Sequence, residues 1–311
     1  MADSIEKVAI IGAGLIGASW AALFLASGRR VSVYDPASGA EQAVRDFIEG
    51  AQPDLKRLGF DGRGCLEEPD FSKSAAEAVE GAEFVQESVP ENLEAKIEVY
   101  REIEPFLEQN SVVATSASGI TLSELQGGWK DPSRLVLGHP FNPPHLIPLV
   151  EVMENERTSS GIADKAASIY ESMGKVTIRL RKEVPGHVAN RLQAAIWREA
   201  IHLAREGVAS VEDIDKAVAF GPGIRWAAMG PTQLFHLAAG SGGINEFCKR
   251  YSPSFHRWWD DLGNARLDAE TREILSKGIA AAEGGGRIEI LAEQRNSRIL
   301  AILEAVAKSN S

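Results

Sequence analysis

Val8-Ala9-Ile10-Ile11-Gly12-Ala13-Gly14-Leu15-Ile16-Gly17 opens the chain, an Ala/Leu-rich stretch follows, and Val31-Ser32-Val33-Tyr34-Asp35 closes the unit. It reads as a buried strand, a G-x-G-x-x-G turn, a helix from about Leu15 to Ser27, and a second strand ending in a carboxylate 18 residues after Gly17. In that context a common glycine pattern becomes a dinucleotide-binding fingerprint. Gly12 makes the tight turn, Gly14 lets the backbone approach a pyrophosphate, and Gly17 permits close helix–strand packing. The helix start, at Leu15 and Ile16, offers unpaired N–H groups and the positive dipole end to the phosphates. Asp35 would accept hydrogen bonds from the adenosine ribose and repel a 2′-phosphate, which favours NAD over NADP. FAD fits the same fingerprint, and an ordinary βαβ unit without a ligand is the plain alternative.

Outward from that unit, strand and helix alternate. Val8–Ile11, Val31–Tyr34, Phe84–Ser88, Val112–Thr115, Leu135–Gly138 and Lys175–Arg179 are short β-rich runs. Helical patterns lie between several of them: Glu41–Gly64 with a Gly-rich end, Leu93–Leu107, and Gly161–Met173. Such alternation predicts an α/β domain with a Rossmann-like, doubly wound, mostly parallel sheet. At Val184-Pro185-Gly186 the texture changes. Pro185 suits a first helical turn, and Val188, Leu192, Ile196, Ala200 and Leu203 recur at about four-residue spacing. Helical patterns alone follow, over Val211–Phe220, Gln233–Tyr251, Ala269–Glu283 and Arg287–Val306. The expected division is therefore 1–184, a nucleotide-binding domain, and 185–311, an all-α domain, to which the resemblance given below adds substrate binding and dimerisation.

Composition narrows the class. The 311 residues carry a formal charge of −11, which argues against nucleic acid and anionic membranes as partners. No apolar run reaches the ~18 residues a membrane span needs, and a strand by Val8 leaves no room for a signal peptide. Cys65 and Cys248 stand in unrelated contexts without metal-ligand spacing, so they read as free thiols in a reducing compartment, the cytoplasm by default, and no metal is expected.

Hydride transfer from an alcohol to NAD needs a base for the hydroxyl proton and a group that keeps the base poised; flavin chemistry sets no such requirement. Leu137-Gly138-His139-Pro140-Phe141-Asn142-Pro143-Pro144 puts His139 at a strand end, on the edge where open α/β sheets bind ligands. Twelve residues on, Glu151 is a lone carboxylate in the apolar strand Leu149-Val150-Glu151-Val152-Met153. If the two strands are neighbours, Glu151 faces the His139 ring, fixes its tautomer and makes the other nitrogen the better base. Read singly, His139 is a structural histidine and Glu151 the partner of some arginine. Behind a dinucleotide fingerprint the pair predicts an NAD-dependent dehydrogenase.

These residues resemble the L-3-hydroxyacyl-CoA dehydrogenase superfamily. The matching motifs are the Ile11–Gly17 turn, Val89-Pro90-Glu91-Asn92-Leu93 with Lys96, Ser116-Ala117-Ser118-Gly119, His139–Pro143, Val184–Arg191 and Met229-Gly230-Pro231, in family order across about residues 5 to 235. The resemblance implies His139 as base with Glu151 as its partner. It also implies Ser118 and Asn190 on the reacting oxygen, and Glu91, Asn92 and Lys96 along the nicotinamide side. A helical C-terminal domain that dimerises is implied as well.

Within the superfamily the chain looks like the lambda-crystallin branch, which includes L-gulonate 3-dehydrogenases and L-carnitine dehydrogenases. A longer run, Gly221 to Met229, leads into Gly230-Pro231, and Glu283-Gly284-Gly285-Gly286-Arg287 with a long charged helix stands where acyl-CoA enzymes have a Lys/Gly-rich end. Arg225 is a candidate fork for a free carboxylate, or a surface arginine. Trp226, Trp258 and Trp259 are candidates for a face that meets a quaternary ammonium, or core and interface residues. His145, His187, His202 and His256 read as structural, and His236 as core or interface. The expected reaction is oxidation of a small L-3-hydroxy acid. The alternatives are a 3-hydroxyacyl-CoA dehydrogenase and a non-catalytic, crystallin-like nucleotide-binding protein.

Overall fold

The computed structural model describes residues 5–60, 68–282 and 287–309. Cys65 and Glu283–Gly286 lie outside the described residues. Two compact units result, Met1–Ala189 and Asn190–Ser311.

The first unit is built on eight strands: β1 (Lys7–Ile11), β2 (Arg30–Tyr34), β3 (Asp70–Phe71), β4 (Phe84–Glu87), β5 (Val112–Thr115), β6 (Leu135–Pro140), β7 (Leu149–Met153) and β8 (Val176–Arg179). Their order is β3-β2-β1-β4-β5-β6-β7-β8. Every pairing is parallel except β6–β7, which is antiparallel. Six α-helices accompany them among the described residues: α1 (Leu15–Ala26), α2 (Ala40–Arg57), α3 (Ala75–Val79), α4 (Leu93–Ile103), α5 (Leu122–Gln126) and α6 (Ile162–Glu171).

The two-residue period of a strand sorts its side chains between two cores. Val8, Ile10, Phe84, Val112, Ala114, Val136, Val150 and Val152 enter one core with Trp20 and Phe24 of α1 and Tyr170 of α6. Ala9, Ile11, Val85, Val113, Leu135, Leu137 and Met153 enter the other with Tyr100 and Ile103 of α4 and Leu122 and Leu125 of α5. Helix α1 is apolar all round because every residue from Gly17 to Ala26 is buried, as expected for a helix enclosed on all sides. The same parity has a chemical consequence. Glu87, His139 and Glu151 fall on the α4/α5 side of the sheet, in step with Val85, Leu137 and Met153.

The second unit holds α7 (Ala189–Arg205), α8 (Val211–Val218), α9 (Ile224–Ala228), α10 (Pro231–Ala238), α11 (Gly243–Asp261), α12 (Ala269–Ala281) and α13 (Ile288–Ser309). Its interior is sparse: Ile201, Ile214, Thr271 and Leu300 are buried, while Trp197, Phe220, Trp258 and Trp259 are exposed. Arg205 of α7 grips the start of α12 through Asp268, Glu270 and Thr271.

Two helix expectations need correction. Gln233–Tyr251 is not one helix but two, broken at Gly240–Gly242, where Gly240 and Gly243 take left-handed φ values of 60° and 56° that glycine alone adopts freely. His236 accepts a hydrogen bond from the Ile244 amide across the break. Nor does a helix begin at Pro185. Gly186 and His187 both lie in the left-handed region, at φ 74° and 50°, so the helix starts at Ala189 and Val188 stands outside it.

Candidate active site

The parallel strands β1, β4, β5 and β6 present their carboxyl ends on one edge, and the order reverses between β1 and β4, which opens a crevice there. The glycine turn lines it. A Cβ on Gly12, at φ 85°, would stand 2.6 Å from the Val89 amide, and one on Gly17 would collide with the Gly12 carbonyl. Gly14 has open space where its Cβ would be. No side chain caps α1 and no acid lies in its first turn, so the amides at Leu15 and Ile16 keep their N–H groups and positive field for an anion. The Asp35 carboxylate accepts from the amides of Ala13 at 2.7 Å and Ala37 at 2.9 Å, which fixes it beside the glycine turn. Open ground at Gly14, an uncapped helix start and a fixed carboxylate fit a dinucleotide with a free ribose diol.

Next to this turn, Glu87 ends β4 fully buried. It accepts hydrogen bonds from Lys96 at 2.6 Å, Tyr100 at 2.6 Å, Thr115 at 2.7 Å and the Val89 amide at 2.7 Å. Burial, and then the Glu87 charge, push the Tyr100 phenol well above its ordinary range, so it stays a donor. Lys96 is therefore not an open cofactor ligand. Its ammonium is buried against Glu87 and the Val89 carbonyl. Asn92 caps α4 by accepting from the Ala95 amide. One oxygen of Glu91 gathers the amides of Ser118, Gly119 and Ile120 at 3.1, 2.6 and 3.0 Å. Glu91 thus shapes the segment that presents Ser118.

His139 and Glu151 are directly opposed residues of β6 and β7. The imidazole Nδ1 lies 2.8 Å from one carboxylate oxygen. The other oxygen accepts from the amides of Val188 at 2.9 Å and Ala189 at 3.0 Å. Burial alone would raise the Glu151 carboxyl, but the His139 hydrogen bond and these two amides outweigh it and hold the group below its ordinary value. An ionised Glu151 takes the Nδ1 proton as hydrogen-bond partner and leaves Nε2 as the free base.

The loop between the two strands is pinned from behind. His145 meets Ser19 Oγ through its amide at 2.9 Å and its Nδ1 at 2.8 Å. Lys175 donates to the carbonyls of Pro144 and Ile147, and burial brings its ammonium down to about 7.

Asn190 stands in the first turn of α7, and Arg225 and Trp226 stand in α9, all in the second unit. Arg225 and Trp226 are exposed. Trp258 and Trp259 belong to α11, where both rings contact Phe255. The sequence reading missed two members of the first unit's site. Glu87 carried the same signal as Glu151, a lone carboxylate in an apolar strand. His187, expected to be structural, lies with its ring 5.0 Å from that of His139.

Residues 7–184 match the NAD-binding domain of 3-hydroxyacyl-CoA dehydrogenase, and residues 186–273 match the C-terminal domain of the same enzyme. The chain belongs to the 3-hydroxyacyl-CoA dehydrogenase family. It is an NAD-dependent oxidoreductase with an N-terminal Rossmann-like domain and a helical C-terminal domain. It is 41% identical over 306 residues to an L-carnitine dehydrogenase of Streptomyces coelicolor, which covers 98% of this chain and 96% of that protein. An L-carnitine dehydrogenase of Oceanobacillus iheyensis is 39% identical over 97% of this chain and 98% of its own length. Among solved structures, the NAD+-dependent 5-formyl-3-hydroxy-2-methylpyridine 4-carboxylic acid 5-dehydrogenase superposes with a TM-score of 0.84 at 32% identity, covering 98% of this chain and 99% of that one. No helix among the described residues is long and apolar enough to cross a membrane.

Proposed function

We propose that this enzyme oxidises the 3-hydroxyl of a small L-3-hydroxy acid, L-carnitine foremost, to the 3-oxo acid with NAD as acceptor. The observation that carries the reading is the buried His139–Glu151 pair on the dinucleotide-binding edge of the sheet. Nε2 of His139 takes the hydroxyl proton, and the imidazolium so formed is stabilised by the Glu151 carboxylate 2.8 Å from Nδ1. Bound NAD would supply the acceptor for the hydride of the carbinol carbon. Ser118 and Asn190 hold the oxygen as it becomes a carbonyl.

Asp35 takes the adenosine ribose, the amides behind Gly14 take the pyrophosphate, and Glu91 steadies the nicotinamide side through the Ser118 segment. Lys96 contributes from behind, through Glu87. Arg225 pairs with the substrate carboxylate as a planar fork, and Trp226 offers a π-face to the trimethylammonium of carnitine. The relatives' names support a free hydroxy acid rather than a thioester, as does a structural neighbour named for a carboxylic acid. The exposed apolar side chains of the second unit support a homodimer, and the cytoplasm is its setting.

The test is NADH formation from L-carnitine, L-gulonate, L-3-hydroxybutyrate and the CoA thioester of the last, each with NAD and with NADP. L-Carnitine with NAD should give the highest kcat/KM. A preference for the thioester would move the enzyme to acyl-CoA substrates, and no reduction from any of them would sink the reading.

A further inference from the structure

We propose that His187 is a positioning residue that ties the Ser118 segment to the His139–Glu151 pair, an inference that rests on the catalytic reading above. His187 is 3% exposed, and its Nε2 lies 3.1 Å from the Ala117 carbonyl. A carbonyl only accepts, so Nε2 carries the proton and Nδ1 keeps a lone pair. That Nδ1 is buried with no hydrogen-bond partner among the described residues. The residue holds φ 50° directly after Gly186 at φ 74°, a backbone that a side-chain-bearing residue adopts only where its surroundings over-determine it.

The turn has two outputs. The His187 ring fixes the carbonyl immediately before Ser118. The next two amides, of Val188 and Ala189, fix the outer oxygen of Glu151. The oxygen-holding serine and the carboxylate behind the base are therefore set by the same left-handed turn, so neither shifts without the other.

The charged and titratable groups facing His187 are His139 on β6, Glu151 on β7 and Glu91 on the segment after β4. Burial is the largest influence on the ring and lowers its pKa. His139 acts in the same direction, while the Ala117 bond and the two carboxylates oppose it without reversing the result. A neutral His187 is what the site needs. A second imidazolium 5.0 Å away would oppose the charge that His139 gains in the transition state.

The experiment compares His187→Phe, which keeps a ring but no donor, with His187→Gln, whose terminal amide stands where Nε2 stood. Each is made alone and in a Ser118→Ala background. His187→Phe should lower kcat for L-carnitine about tenfold, since small misplacements of reacting groups cost this much or more. NADH affinity should stay unchanged and His187→Gln should recover most of the rate. With Ser118 already removed, His187→Phe should cost clearly less than in the parent, because coupled residues are non-additive and only the path through Glu151 is left. Amide exchange supplies an arm independent of substrate: Ser118, Gly119 and Ile120 should exchange faster in His187→Phe than in the parent. Wild-type kcat in His187→Phe, penalties that multiply with Ser118→Ala, or a glutamine no better than phenylalanine would overturn the proposal. If the parent reduces NAD with no hydroxy acid, the catalytic reading fails, and unchanged exchange at Ser118–Ile120 would remove the tie as well.

Discussion

Glu151 meets three donors from two parts of the chain, the His139 ring on one oxygen and the Val188 and Ala189 amides on the other. Replacing it by glutamine keeps a hydrogen-bonding group but removes the charge opposite the imidazolium. Glu151→Gln should lower kcat by about 10²-fold, within the range for disabling a positioned base. Near-parental turnover in Glu151→Gln would return Glu151 to a structural role.

Lys96 makes a second residue-level test. Removing one partner of a buried ion pair leaves the other charge uncompensated, at about 3–5 kcal/mol. Lys96→Met should lose stability on that scale in urea unfolding, because Glu87 has no route to solvent. A large loss of NADH affinity with stability intact would instead place the ammonium on the cofactor.

At the scale of elements, the β6–β7 hairpin carries His139 and Glu151, and Lys175, the residue before β8, pins its loop. Burial brings the Lys175 pKa to about 7 from an unfolded 10.5. Above pH 7 the folded chain binds fewer protons here than the unfolded one, so this group makes stability rise with pH until about 10.5. Between pH 7 and 9 that rise is about 2 kcal/mol. Lys175→Met should flatten it; a parallel pH dependence in parent and variant would show that the amine is not desolvated as described.

The strands were legible wherever an apolar run was long enough to show. That run made the glycine turn, β1, β2 and β4–β8 readable and put His139 and Glu151 on facing strands. β3 is only Asp70–Phe71, too short to show a period, and it joins the sheet through pairing with β2. The α10–α11 break follows from Gly240–Gly243, but its helical flanks read through it. His187 was missed for a different reason. Its role comes from a turn that brings it against β6, and no spacing along the chain records that approach.

At the scale of the whole molecule, the second unit does not account for its own apolar side chains. Phe220 is 72% exposed and Trp259 60% exposed, while few large groups are buried in that unit. A two-fold interface of about 1,600 Å² would cover groups of this kind. Sedimentation velocity at micromolar concentration should show a species of twice the 33.5 kDa chain mass, and a lone monomer would contradict it.

The central assignment is that His139 is the base acting on the substrate hydroxyl while the nucleotide is held elsewhere on the same sheet edge. One comparison reaches it most directly: NADH formation from L-carnitine at saturating NAD by the parent and by His139→Ala, with NADH affinity measured on both. Turnover should fall by about 10²–10⁴-fold, while NADH binds both proteins with affinities within about twofold. A variant that oxidises L-carnitine at the parental rate, or one that loses NADH binding along with turnover, would contradict the assignment.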